Sequence, residues 1–116
     1  MKFNSILIGS EDPKRLAEYY TKLFGEPAMS DGTYSGWQIG EGFVAVGPHD
    51  EVKGRNTQPG RIIWNIESAD VKGDFAKLQA AGAKVVREPY SLGEPPTWIA
   101  TLADPDDNYF QLMTAM

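Results

Sequence analysis

The sequence predicts an α+β fold: two β-α-β-β-β modules whose curved mixed sheets lie around a cleft. Three observations predict it. A strand, an acidic helix cap, an amphipathic helix and a closing glycine occur in that order twice, over residues 3–25 and 61–82. Three short β-rich stretches follow each helix. The chain then closes on Tyr109-Phe110-Gln111-Leu112, a strand-like alternation behind the turn-forming run Asp104 to Asn108. An order of elements that repeats argues for two equivalent modules packed in one domain. The predicted domain spans residues 1–116, with modules at about 1–48 and 60–116 and a linker at 49–59.

The first module opens with "FNSILIG", Phe3 to Gly9, a short β-rich run. Asp12-Pro13 supplies an N-cap and a first helical residue whose missing N–H costs nothing there. Leu16, Tyr19, Tyr20, Leu23 and Phe24 then fall on one helical stripe, which Gly25 closes. Strands are expected at Ala28 to Ser30, Thr33 to Ile39 and Phe43 to Gly47, the last two joined at Gly40-Glu41-Gly42.

After the turn-rich linker, "RIIWNIE" (Arg61 to Glu67) reads as a strand. Asp70 caps a helix with an apolar face of Val71, Phe75, Leu78 and Ala81, stopped by Gly82. "AKVVREP", Ala83 to Pro89, reads as a strand and "YSLGEPP" as a loop. Thr97 to Ala103 and Asn108 to Thr114 form a hairpin. Asp104, Asp106 and Asn108 have calcium-loop spacing. Tyr109 stands where such a loop needs glycine, and no acid follows at its twelfth position, so a hairpin turn is the reading.

Composition narrows the function. The chain has 116 residues, a net charge of −5 and no cysteine. Disulfides and thiolate metal sites are thereby excluded. Its 11 Lys and Arg are scattered, which argues against nucleic acid. No apolar run reaches membrane-spanning length, and the N-terminal stretch does not read as a signal peptide, so a cytoplasmic protein is expected.

Three stretches resemble one known family. "SILIGSEDPKRLAEYYTKLFG" is similar to the first strand and helix of the vicinal oxygen chelate superfamily, which includes glyoxalase I, the extradiol dioxygenases and the fosfomycin and bleomycin resistance proteins. "IIWNIESADVKGDFAKLQAAGAKVV" resembles the start of its second module, and "ADPDDNYFQL" its closing hairpin. The resemblance covers nearly the whole chain. It implies a glyoxalase/bleomycin resistance-like fold and a homodimer. In metal-using members it implies four His, Glu or Gln ligands, one each from the first and last strand of each module. Carried over, those positions fall on Ser5, Ala45, Arg61 and Gln111. Ala45 offers no donor, Arg61 is a permanent cation, and the sole histidine, His49, lies at the linker. No metal and no cofactor are therefore expected.

Strand alternation assigns the cleft face. Ser5, Leu7 and Gly9 face the cleft on the first strand, Arg61, Ile63 and Asn65 on the second module's first strand, and Tyr109, Gln111 and Met113 on the last. Ile62, Trp64 and Ile66 face the helix. Trp37 and Trp98 hold similar places in the two modules, fit either to flank a planar ligand or to pack. The expected ligand-binding set is Ser5, Trp37, Arg61, Asn65, Trp98, Tyr109 and Gln111, with no catalytic residue. Apolar walls with a few polar groups suit a small organic molecule. They also suit a polar network joining the modules. The leading expectation is metal-independent binding of a small organic molecule in the cleft between the modules, similar to a bleomycin-resistance protein. A glyoxalase-like lyase or isomerase, or a dioxygenase-related enzyme with an atypical metal site, is the first alternative. A structural or partner-binding module is the second. The acidic charge favours a cationic ligand and Arg61 an anionic one.

Overall fold

Asp12 begins the first helix as its chemistry dictates: its carboxylate accepts the Arg15 N–H at 3.2 Å, and Pro13 follows at the first helical position. In the computed structural model, which describes Met1–Met116, this helix is α1 (Pro13–Phe24). The strands of its unit are β1 (Ile6–Ser10), β2 (Met29–Ser30), β3 (Ser35–Ile39) and β4 (Gly42–Pro48). They form one sheet in the order β1-β4-β3-β2, with β1 parallel to β4 and the other pairs antiparallel. The parallel pairing follows from the crossover through α1, which returns the chain in the same direction. Leu16 and Tyr20 of α1 are buried on β1 and β4, over Ile8, Val44 and Val46.

The second unit repeats the plan with β5 (Trp64–Glu67), α2 (Val71–Ala80), β6 (Lys84–Leu92), β7 (Thr97–Ala103) and β8 (Tyr109–Met113). Its order is β5-β8-β7-β6, again with one parallel pair, β5 and β8. Asp70 caps α2 through the Gly73 N–H, and Val71, Phe75 and Leu78 are buried as the periodicity predicts. They meet β6, β7 and β8. Phe110 and Leu102 are wholly buried there. Each such side chain contributes roughly 1.5–3 kcal/mol relative to exposure. The two compact units are Met1–Gly54 and Arg55–Met116. The α+β class and the doubled module are as the sequence predicts. No helix is long and apolar enough to cross a membrane.

Among the boundaries that differ from expectation, two shift residues of the second sheet. The strand expected from Arg61 starts at Trp64, because Pro59 opens a 3-10 turn over Pro59–Arg61. That turn is held by the Arg61 N–H on the Gln58 carbonyl at 3.1 Å. It leaves Ile62, predicted to face the helix, 76% exposed. The expected loop at Tyr90 to Leu92 is instead the end of β6, paired with Ile99, Trp98 and Thr97. Pro89 lies inside a register irregularity, where its missing N–H removes no ladder bond.

Candidate functional site

The β7–β8 turn fixes the last strand. Asp104 is fully buried. Its Oδ1 accepts the Asp106 N–H at 2.9 Å and the Asn108 N–H at 3.0 Å, while Oδ2 accepts from Asn108 Nδ2 at 2.9 Å. The first carboxylate of the calcium-like spacing is thus engaged by the turn's own donors. Asp107 takes the left-handed conformation, φ 65°, and pairs with Lys84 at 2.7 Å and Arg55 at 3.6 Å. The hydrogen bond from Lys84, then the nearby charges of Lys84 and Arg55, hold its carboxyl below the ordinary range. Asn56 ties the incoming segment to this turn, through its N–H on the Asp106 carbonyl at 2.8 Å and its Nδ2 on Asn108 Oδ1 at 3.2 Å.

With the turn fixed, the second sheet presents residues in rows. Trp64, Phe110, Leu102 and Val85 share one row, and Ile66, Leu112 and Ala100 another. These rows face α2, and the Trp64 and Phe110 rings stack at 5.3 Å between centroids. The alternate rows take the opposite face. One is Glu67, Met113, Ile99 and Tyr90. The other is Asn65, Gln111, Thr101 and Arg87, a polar side chain from each of the four strands. Within it Gln111 Nε2 donates to Thr101 Oγ1 at 3.0 Å. Thr101 is buried, Gln111 half-buried, Asn65 and Arg87 exposed. The Arg87 guanidinium lies 3.6 Å from the centre of the Tyr90 ring.

The predicted residues therefore separate. Asn65 and Gln111 are cross-strand neighbours, and Tyr109 shares their face, paired with Ala103. Arg61, expected on the cleft face with Gln111, does not join them. It stands outside β5 with its guanidinium on Gln58 Oε1, at 3.1 Å from Nε and 2.6 Å from Nη2. The turn at Pro59 removes it from the ladder, and Asn65 holds the place opposite Gln111. The two tryptophans stand on helix-facing sides. Trp37 is 3% exposed, its Nε1–H donating to the Gly25 carbonyl at 2.9 Å beside Tyr20. Trp98 lies under Lys72 of α2, whose Nζ is 4.0 Å from the ring centre. Ser5 is half-buried just before β1. On the face of the first sheet away from α1, the Tyr34 and Phe43 rings lie against Gly47 and Gly36. The sequence reading missed Thr101 and Arg87. Thr101 was legible as the alternate residue of "TWIATLA". Arg87 was not, because two irregularities in β6 shift its face.

The donor set does not fit a catalytic divalent ion. No three His, Cys, Asp or Glu side chains come together to hold one, where zinc takes at least three protein ligands. Of the four inherited positions, Ala45 offers a methyl group, Arg61 is turned away and Gln111 is engaged by Thr101. His49 follows β4 with Nδ1 accepting the Glu51 N–H at 3.2 Å and 3.6 Å from Asp50 Oδ1. A groove of about 700 Å³ beside α1 carries Lys14, Glu18, Lys22 and Glu26, charges of both signs that form no single-sign cluster.

The comparisons with known proteins agree with this architecture. The family model described as "Glyoxalase-like domain" matches residues 5–113. No curated protein matches the chain in sequence. Among solved structures it is similar to a glyoxalase-related enzyme from Fulvimarina pelagi, with a TM-score of 0.74 and 19% identity over 99% of this chain and 89% of that one. A glyoxalase/bleomycin resistance protein/dioxygenase family enzyme from Burkholderia phytofirmans PsJN gives a TM-score of 0.73 at 19% identity, over 97% and 98% of the two chains. A glyoxalase/bleomycin resistance protein from Albidiferax ferrireducens T118 gives 0.72 at 17%, also over 97% and 98%. At these identities the likeness is one of fold. The family match over nearly the whole chain and the doubled β-α-β-β-β plan together establish that this protein belongs to the glyoxalase-like family of the vicinal oxygen chelate superfamily.

Proposed function

We propose that the chain is a metal-independent binding protein for a small organic molecule, which it holds on the face of its second sheet away from α2. One observation carries this reading: Asn65, Gln111, Thr101 and Arg87 align in a single row across four strands. Met113, Ile99 and the Tyr90 ring stand in the next row on the same face. A few polar groups of fixed direction among apolar neighbours are what small-molecule recognition needs. The poor donor set for a divalent ion supports the metal-independent part. A homodimer belongs to the same proposal, since each sheet has two edge strands that a second copy can cover.

The test is a thermal-shift screen of metal-free protein against a small-molecule library, with elemental analysis of the protein purified without chelator. The expected result is stabilisation by one chemical series, lost in Gln111→Leu, with no stoichiometric transition metal. About one metal per chain, removable with loss of a lyase, isomerase or dioxygenase activity, would overturn the reading in favour of an enzyme. A parent protein that no compound stabilises would favour a structural role for the row.

A further inference from the structure

The polar row has a direction. Gln111 Nε2 donates to Thr101 Oγ1, so the acceptor capacity of that hydroxyl on the β8 side is used. The Thr101 hydroxyl keeps its own proton to donate. Arg87 on β6 is its registered neighbour on the other side, one strand spacing away, about 4.8 Å. A guanidinium accepts no hydrogen bond. Thr101 and Arg87 are therefore adjacent donors in one row.

Arg87 is also prepared for a ligand. Residues three apart on a regular strand point to opposite faces. Here Arg87 pairs with Thr101 and Tyr90 with Ile99, so three residues of β6 span two of β7. That bulge brings Arg87 and Tyr90 to one face, where the guanidinium rests on the ring at 3.6 Å. Its charge meets an aromatic face rather than a carboxylate. Lys84, the other cation in register on this part of β6, is engaged by Asp107 at 2.7 Å. A stacked guanidinium has less rotational freedom to lose, and its planar fork matches two oxygens of one anionic group. In a chain of net charge −5, this cation stands at the end of a row of neutral donors.

We infer that the group recognised on this face is an oxyanion, a carboxylate or a phosphonate-type group, held between the Arg87 guanidinium and the Thr101 hydroxyl. The inference rests on the binding reading above and adds to it the class of ligand. Gln111 acts through Thr101, and the Ile99 and Met113 side chains offer apolar contact to the body of the molecule. The overall negative charge acts over distances that salt screens beyond about 8–10 Å. Contact hydrogen bonds to the anion are screened far less.

The experiment titrates ¹⁵N-labelled protein with benzoate, phenylphosphonate and neutral benzamide, following the Gln111 side-chain amide and the Arg87 Nε–H resonance. The expected result is perturbation of both signals by the two anions, with benzamide at least roughly ten-fold weaker, the difference a charge-assisted pair makes. Arg87→Met should bring the anions down to the affinity of benzamide, and Arg87→Lys should recover part of the loss. Arg87 is exposed on an edge strand, so a melting temperature unchanged in Arg87→Met accompanies this result. Tighter binding of phenylphosphonate than of benzoate assigns the tetrahedral group, and the reverse order the carboxylate. Benzamide binding as tightly as benzoate, or Arg87→Met leaving benzoate affinity intact, overturns the oxyanion and leaves small-molecule binding standing. Silence of the row toward all three probes overturns the oxyanion as well, and the library screen then decides the binding reading.

Discussion

Gln111 on β8 donates its side-chain amide to the Thr101 hydroxyl on β7 across 3.0 Å. The two stand directly opposite in the antiparallel pair. This contact explains how a strand otherwise built of Tyr109, Phe110, Leu112 and Met113 accommodates an amide at its centre. Thr101 is only 6% exposed, so in the free protein its oxygen accepts from Gln111 rather than from water.

A double-mutant cycle measures that dependence. Gln111→Leu leaves the Thr101 hydroxyl without its donor and should cost about 1–2 kcal/mol of folding stability. Thr101→Val in the same protein removes the group left unpaired. The double variant is expected to be more stable than the sum of the singles predicts, by about 1 kcal/mol. Urea denaturation gives the numbers, and strict additivity would contradict the contact.

Asp104→Asn tests the turn. The carboxylate accepts from donors on both oxygens. An amide in its place sets one N–H group against another. Loss of about 1.5–3 kcal/mol is expected, the range for hydrogen bonds to a charged group, with the damage centred on the β7–β8 hairpin in hydrogen exchange. A neutral outcome would mean that the turn is held by its backbone bonds alone.

Asp107 gives a pH dependence with a defined sign. Its pair with Lys84, aided by Arg55, lowers the carboxyl pKa in the folded chain. The unfolded chain binds that proton more readily, so the contribution is complete above the unfolded value, about 3.9. It is lost as pH falls through the depressed folded value. Asp107→Asn keeps a side chain suited to the left-handed backbone at φ 65°. The stability gap between parent and variant should be open at pH 6 and should close in strong acid. Equal gaps at both would separate the effect from ionisation.

Gly36→Ala probes the first sheet. A Cβ built on Gly36 overlaps the Phe43 ring, although the backbone there is ordinary. The ring must move, and a cost of about 1–3 kcal/mol is expected from the overpacking. Adding Phe43→Leu should recover part of it. Thermal melts of the single and double variants check both statements.

The legible part of this protein is the part set by local chemistry. Asp12-Pro13 and Asp70 start helices because their carboxylates cap free N–H groups in sequence. Leu16 and Tyr20, like Val71, Phe75 and Leu78, recur at the period of a helix with one buried face. Asn65, Tyr109 and Gln111 could be placed on one face by alternation, because β5 and β8 are regular strands. Tertiary structure decided the rest wherever local period fails. Pro59 closed a turn that took Arg61 out of the ladder. Trp37 and Trp98 stand against helix residues, and only packing chooses that face. Counted at period two from Lys84, Arg87 belongs on the helix side of β6. A bulge before it and another after it turn Arg87 and Tyr90 toward Thr101 and Ile99. A bulge is a property of two paired strands, and the residues of one strand alone do not encode where its partner falls short by one.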